Sequence, residues 1–85
     1  MVNRTATVAS KLGLCLQPSD EIVRCAGMYA SSVTIAHGEQ IANAKKLLEV
    51  LALAAACGSE LIVSANGEDE RDALDAVCNL IEKNY

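Results

Sequence analysis

The sequence contains no phenylalanine and no tryptophan, and its large aromatic residues are limited to two tyrosines. It therefore lacks the aromatic platforms on which proteins stack nucleic-acid bases. It also lacks any run of lysine and arginine that could neutralise successive phosphates, and its formal net charge is -4 at pH 7. These absences argue against a nucleic-acid partner.

Long hydrophobic segments are missing as well. The longest apolar run, Val50 to Cys57, is much shorter than the roughly 20 residues that a helix needs to cross a bilayer. The segment from Met1 to Thr5 shows no hydrophobic stretch of the kind found in signal peptides. We therefore expect a cytoplasmic protein that does not insert into a membrane.

The cysteine and histidine pattern does not indicate a metal site. The cysteines are widely spaced, form no CxxC motif, and have no histidine at the spacing of zinc ligands. The one histidine, His37, precedes Gly38 in a predicted turn. We expect free thiols, with no metal and no cofactor. Three of them are predicted to pack like small hydrophobic residues, namely Cys25, Cys57 and Cys78.

Hydrophobic periodicity predicts a strand and a helix in the first third of the chain. Residues alternate from Val2 to Val8, although Arg4 interrupts the apolar side. A helix is predicted from about Leu16 to Gly27, because Pro18 suits a first helical turn. The acidic side chains at positions 20 and 21 should interact favourably with the positive end of the dipole of this helix.

The remaining pattern predicts a hairpin, a helix, a strand and a last helix. Alternating residues from Val33 to Ala42 surround a turn, and good helix formers from Ala44 to Cys57 precede Gly58. Leu61 to Ala65 alternate as a strand, and Asp69 can cap the final helix.

These elements fit one domain covering residues 1–85, because a chain of this length is too short for two ordinary domains. The composition is 52% hydrophobic without phenylalanine or tryptophan, so the core should be aliphatic. A four-stranded antiparallel or mixed sheet with three helices on one face would bury every apolar stripe. The predicted fold class is α+β.

The segment Gly13-Leu14-Cys15-Leu16-Gln17-Pro18-Ser19 resembles the phosphorylation segment of the HPr family, which reads Gly-Leu-His-Ala-Arg-Pro-Ala. The stretch from Asn43 to Lys45 and the stretch from Ser64 to Leu74 also resemble that family. The resemblance implies an HPr-like open-faced β-sandwich with the order βαββαβα and an antiparallel sheet. It also implies a phosphocarrier class of the phosphotransferase system rather than an enzyme, and an earlier end for the second helix than periodicity indicates.

The resemblance places Cys15 at the position of the family's phosphorylated histidine. Leu16, Gln17 and Pro18 then become neighbours of the phosphate site, but Gln17 stands where the family has an arginine that helps to hold the anion. A thiol at a helix N-terminus could accept a phosphoryl group. Nearby acidic side chains, Asp20 and Glu21, oppose thiolate formation, so an unused site is the alternative.

The resemblance also implies a partner-binding surface. It would comprise Leu47, Leu48 and Leu51 on the second helix, with Arg24 and Gly27 flanking them on the first. The alternative is that these leucines belong to the core.

Two charges depart from the family pattern near this surface. Lys46 occupies the position of a regulatory serine and cannot be phosphorylated by a serine kinase, and it could otherwise be a solvated helix start. Glu49 reverses the charge of a lysine common in the family, so partner preference could differ.

Three functional hypotheses remain open from the sequence. The first is a partner-binding or regulatory module without ordinary phosphohistidine transfer, and the second is a phosphocarrier that uses Cys15. The third is a redox-responsive interaction protein in which Cys15 is oxidised. Expected partners are enzyme I-like proteins, sugar-specific phosphotransferase components or a regulator, and we expect a monomer. His37 is not expected to replace the missing histidine.

Overall fold

The computed structural model describes residues 1–83 and confirms the predicted order of elements and the α+β class. The predicted domain spans residues 1–85, of which 84 and 85 lie outside the described part. The strands and helices are β1 (Val2–Thr7), α1 (Leu16–Gly27), β2 (Ser32–His37), β3 (Gln40–Asn43), α2 (Leu47–Ala52), β4 (Glu60–Asn66) and α3 (Glu70–Ile81).

The strands form one antiparallel sheet in the order β1-β4-β2-β3. Ile35 lies opposite Val63 in this register, and both are fully buried. Thr34 lies opposite Ser64 on the other face, which carries mostly small polar residues. Helices α1 and α3 contact each other, and α3 packs on β1 and β4. The sheet is therefore covered on one side and open on the other, as expected for an open-faced β-sandwich.

Helix α1 begins directly after Cys15 and holds Pro18 in its first turn, as predicted. Ile22 and Ala26 are buried against the core. The first turn contains no acidic residue, so the expectation that Asp20 and Glu21 favour the positive end of the helix is wrong. Both lie in the second turn, where the effect of the helix dipole is weak.

Helix α2 is much shorter than the segment from Ala44 to Cys57 that periodicity predicts. Its N-cap, Lys46, has extended backbone angles, and its C-cap is Leu53. Ala54 then adopts a φ of 49°, a left-handed conformation that ends the helix. The earlier end implied by the family resemblance is therefore the correct one.

Helix α3 has Asp69 at its N-cap position, but this side chain forms no capping hydrogen bond. The carboxylate instead accepts hydrogen bonds from Ala30 and Ser31. The prediction that Asp69 caps the helix is thus right about its position and wrong about its side chain. Glu70 serves this end of the helix, because its Oε1 accepts the Gly67 N–H at 3.2 Å.

The position of Arg4 in the fold explains why a charged residue interrupts the apolar side of β1. The register places it on the covered face of this edge strand, opposite Val63. Its guanidinium lies 3.5 Å from Asp75 Oδ1 and 3.1 Å from Glu82 Oε1. The charge therefore forms ion pairs along α3 at the margin of the core.

The cysteines occupy different environments. Cys78 is buried in the core as predicted, and Cys25 is half-buried. Cys57 is exposed, so the prediction that it packs as a small hydrophobic residue is wrong. Burial raises the pKa of both the Cys25 and the Cys78 thiol.

Within residues 1–83, no helix is long and apolar enough to cross a bilayer. The same part of the chain contains no cluster of three histidine, cysteine, aspartate or glutamate side chains that could hold a metal ion.

Candidate functional site

Cys15 is the N-cap residue of α1, and its side chain is exposed. Its carbonyl oxygen accepts the Ser19 N–H at 3.1 Å, whereas its thiol forms no capping hydrogen bond. The first N–H groups of a helix have no partner within the helix, and Pro18 has no N–H at all. The backbone N–H groups of Leu16 and Gln17 are thus donors beside the exposed thiol.

The loop that carries Cys15 is held against the segment after α2. The Leu14 N–H donates to the Ala55 carbonyl oxygen at 2.9 Å, and the Gly13 N–H donates to the Ser10 carbonyl oxygen at 3.0 Å. Gly13 has a φ of 73°, and a Cβ atom at this position would lie 2.3 Å from the Ala55 carbonyl oxygen. Only glycine fits this approach without displacement of the loop.

A depression of about 240 Å³ lies beside the thiol. Its lining residues are Ser10, Lys11, Leu12, Cys15, Gln17 and Pro18. The structure thus brings together three of the predicted site residues, Cys15, Gln17 and Pro18. Sequence reasoning missed Ser10, Lys11 and Leu12, although an apolar residue in a predicted loop was a signal for Leu12.

The carboxylates expected to oppose a thiolate are both paired with cations. Asp20 Oδ2 lies 3.0 Å from Arg24 Nε, one turn along α1. Glu21 Oε1 lies 3.9 Å from Lys83 Nζ. Each carboxylate thus has a cation beside it, and Arg24 remains 80% exposed to solvent and to partners.

Three leucines are strongly exposed near the beginnings of α1 and α2, and we call them the exposed leucines. Leu12 is 84% exposed, Leu16 is 63% exposed and Leu48 is 80% exposed. Leu47 and Leu51 are also predicted to bind partners, but they are less exposed than these three, because both are half-buried. Helices α1 and α2 pack against each other, and Arg24 and Gly27 are exposed on α1.

The charged residues at the start of α2 have distinct roles. Lys45 Nζ donates to the Tyr29 carbonyl oxygen at 2.8 Å, so this lysine connects the end of α1 to α2. Lys46 is exposed at the N-cap position without a side-chain capping bond. Glu49 Oε1 accepts the Asn43 N–H at 3.0 Å. Among residues 1–83, the Lys46 ammonium therefore has no hydrogen bond or ion pair at this helix end.

His37 is the last residue of β2 rather than part of the turn that was predicted for it. Its Nδ1 lies 2.9 Å from the Leu53 carbonyl oxygen. Because a carbonyl oxygen only accepts, Nδ1 must carry a proton and donate. The ring is thereby engaged at the end of α2, away from the depression beside Cys15.

Comparisons with known proteins agree across the whole chain. The family described as "PTS HPr component phosphorylation site" matches residues 2–83. The phosphocarrier protein HPr of Cupriavidus necator is 33% identical over 85 residues, which cover 100% of this chain and 96% of the relative. The phosphocarrier protein NPr of Shewanella violacea is 30% identical over 84 residues, which cover 99% of this chain and 92% of the relative.

Solved structures show the same fold. HPr-C-His from Thermoanaerobacter tengcongensis is 29% identical and superposes with a TM-score of 0.91, covering 96% of this chain and 92% of that one. A phosphocarrier protein HPr from Bacillus anthracis is 26% identical with a TM-score of 0.90, covering 94% of this chain and 95% of that one. The chain therefore belongs to the HPr family, the non-enzymatic phosphocarrier proteins of the phosphotransferase system.

Proposed function

We propose that this HPr-family protein is a partner-binding and regulatory module that does not carry out ordinary phosphohistidine transfer. The observation that carries the proposal is that the N-cap residue of α1 is an exposed cysteine, Cys15. The resemblance of its segment to the family's phosphorylation segment implies that Cys15 stands at the position of the histidine. The chain's one histidine, His37, donates to the Leu53 carbonyl oxygen instead.

The cations that would hold a phosphoryl group are also reduced. Gln17 can donate hydrogen bonds but carries no charge, so it cannot form the charge-assisted pair that an arginine forms with phosphate. Arg24 is on the same helix, but its guanidinium is paired with Asp20 at 3.0 Å. A phosphorylated thiol would thus depend mainly on Lys11 and the backbone N–H groups for stabilisation.

The exposed leucines favour docking over transfer chemistry. Exposed apolar side chains on a small protein often mark a binding surface. Partners would be enzyme I-like proteins, sugar-specific components of the phosphotransferase system or a regulator. Lys46 adds a fixed positive charge at the start of α2, and Glu49 adds a negative one, so the choice of partner would not depend on serine phosphorylation. We place the protein in the cytoplasm, and we expect it to be a monomer. Sedimentation velocity on the isolated chain would test the monomeric state.

The phosphotransfer test uses phosphoenolpyruvate, enzyme I and intact-mass measurement. We expect no stoichiometric phosphoryl adduct on this protein under conditions that fully phosphorylate a histidine-containing HPr in the same tube. A stoichiometric adduct would contradict the non-transfer proposal. Cys15→Ser and His37→Ala variants would then identify the acceptor.

The docking test is a titration of the ¹⁵N-labelled protein with enzyme I. We expect the amide signals of the exposed leucines to shift, and Leu48→Asp to weaken binding by about tenfold or more, since burying an unpaired charge costs several times the thermal energy. Ile62→Asp is the matched control, because Ile62 is exposed on the open face of the sheet. Equal effects of the two substitutions would contradict docking through the leucines.

A second candidate is a phosphocarrier that uses Cys15 as the acceptor. The N–H groups of Leu16 and Gln17 beside an exposed thiol favour it, since helix N-termini bind phosphate. This candidate requires a phosphoryl adduct that disappears in Cys15→Ser and persists in His37→Ala. The remaining alternative, a redox-responsive protein, depends on the same thiol.

A further inference from the structure

Strand β3 lies at one edge of the sheet, and one of its residues presents free backbone groups there. Just after the strand, the Ala44 N–H donates to the Val33 carbonyl oxygen at 2.9 Å. Because bonded and non-bonded pairs alternate along an antiparallel ladder, the backbone groups of Asn43 and Ile41 point away from β2. The Asn43 N–H donates to Glu49 Oε1, in agreement with that direction. The Ile41 N–H and carbonyl oxygen have no partner in the described part of the chain.

A groove of about 270 Å³ lies between this edge and α2. Its lining residues are Gln40, Ile41, Glu49, Ala52 and Leu53. Ile41 is 71% exposed, Ala52 is also exposed, and the buried Leu53 separates the groove from the core. The groove is therefore mostly apolar, with one carboxylate in its wall.

Two hydrogen bonds fix α2 beside the β2–β3 hairpin, one on each side of Ile41. Glu49 Oε1 accepts the Asn43 N–H at 3.0 Å, and the Leu53 carbonyl oxygen lies 2.9 Å from His37 Nδ1. Within residues 1–83, no hydrogen bond joins Ile41 itself to α2. The groove between these two bonds is thus formed before any partner binds, which lowers the entropy cost of binding.

Two carboxylates flank the free backbone groups. Glu39 precedes Ile41 by two residues, and Glu49 is bonded to Asn43, two residues after Ile41. Both glutamates are exposed, and neither forms an ion pair with any of residues 1–83. The described lining of the groove includes no lysine or arginine. The two charges favour a cationic partner, and they disfavour the same edge of a second copy of this chain.

We propose that the outer edge of β3 binds an extended, cationic segment of a partner protein as an additional strand. The central residue of that segment exchanges two hydrogen bonds with the Ile41 backbone, and its two neighbours place apolar side chains toward the groove. The residues two positions from the centre are lysine or arginine, beside Glu39 and Glu49. This edge is distinct from the exposed leucines of the proposed function, and binding there requires no reaction at Cys15.

The experiment titrates the ¹⁵N-labelled protein with two capped peptides, Lys-Val-Thr-Val-Lys and Glu-Val-Thr-Val-Glu. We expect the cationic peptide to shift the amide signals of Ile41 and Leu53 and to slow hydrogen exchange of the Ile41 N–H. At low ionic strength it should bind about tenfold more tightly than the anionic peptide, since two exposed ion pairs replace two repulsions. Equal affinities, or shifts confined to the exposed leucines, would overturn the proposal.

A charge variant tests the contribution of Glu49. Glu49→Gln removes the charge but keeps an oxygen for the Asn43 N–H, and it should weaken binding of the cationic peptide by about two- to fivefold, as for an exposed ion pair. Glu68→Gln is the matched control, because Glu68 is exposed and lies in the turn before α3. Similar losses in the two variants would refute the site, because they would indicate general attraction to a negatively charged protein.

The backbone hydrogen bonds are tested from both sides of the complex. Ile41→Pro removes the outward N–H, and proline is tolerated in edge strands where the N–H faces solvent. This variant should weaken binding of the cationic peptide by about fivefold, the effect of one hydrogen bond. An N-methyl group on the threonine of the peptide removes the donor to the Ile41 carbonyl oxygen without changing the protein, and it should cause a similar loss. Unchanged affinity of the N-methylated peptide would show that no strand is added at β3.

Discussion

Asp69 and Ser31 form the main polar connection between the start of α3 and the loop before β2. The Asp69 carboxylate accepts the Ser31 N–H at 2.9 Å and also the Ser31 hydroxyl group. The other carboxylate oxygen accepts the Ala30 N–H at 3.0 Å. These bonds stabilise the ionised form, so the Ser31 hydroxyl first and the backbone N–H groups next lower the pKa of Asp69.

This connection predicts an acid-dependent loss of stability. A carboxyl group whose pKa is lowered by folding stabilises the native state above its unfolded pKa of about 3.9, and the contribution disappears as the pH falls through the folded pKa. We expect Asp69→Asn to lower the free energy of unfolding at pH 7, and the difference from wild type to shrink below about pH 4. Urea unfolding at a series of pH values measures it.

Asp72→Asn is the matched control, because Asp72 lies in the first turn of the same helix and is exposed. At pH 7, the free energy of unfolding of Asp72→Asn should differ from that of wild type by much less than that of Asp69→Asn. A difference for Asp69→Asn that stayed constant down to pH 2 would show that charge is not the cause.

The left-handed conformation of Ala54 predicts a second change in stability that can be measured. Its φ is 49°, and this conformation costs a residue with a Cβ atom roughly 1–2 kcal/mol. Ala54→Gly should therefore stabilise the protein by about 1 kcal/mol in spite of the greater freedom of glycine in the unfolded chain.

Thermal or urea unfolding of Ala54→Gly should be compared with Ala52→Gly, at the exposed last residue of α2. Glycine at this helical residue should destabilise the protein by up to about 1 kcal/mol, the cost in a helix interior. The two substitutions should thus have opposite signs, and destabilisation by both would contradict the explanation for the end of α2.

The sequence was sufficient for the order of elements, because alternation and helical periodicity report which side chains face the core. Ile35 and Val63, for example, are buried as their alternation requires. The candidate role of Cys15 could be predicted because the segment around it resembles a phosphorylation segment. The partners of Asp69 and the exposure of Cys57 depend on contacts between distant segments, and local patterns carry no information about them.

Lys46 at the N-cap of α2 predicts a stabilising substitution. A lysine cannot accept a hydrogen bond from the first turn, and its charge is unfavourable at the positive end of a helix. Lys46→Ser supplies a capping oxygen and should raise the free energy of unfolding by about 1 kcal/mol. Lys11→Ser, at an exposed loop position, should have little effect. If both variants unfold at the same urea concentration as wild type, Lys46 does not limit this helix.

The close contact at Gly13 predicts that the geometry around Cys15 depends on glycine. Gly13→Ala would add a Cβ atom 2.3 Å from the Ala55 carbonyl oxygen and would strain a residue whose φ is 73°. We expect a loss of roughly 1–3 kcal/mol in stability from the strained backbone, and an altered alkylation rate at Cys15 because the loop must move.

Gly38→Ala separates these two effects. Gly38 also has a positive φ, 61°, but a Cβ atom there would meet nothing within 4 Å. It should therefore lose stability through strain alone, and its Cys15 alkylation rate should match that of wild type. If Gly13→Ala also kept the wild-type rate, the contact with Ala55 would not control the position of the thiol, since strain at Gly13 could then be relieved without moving the loop.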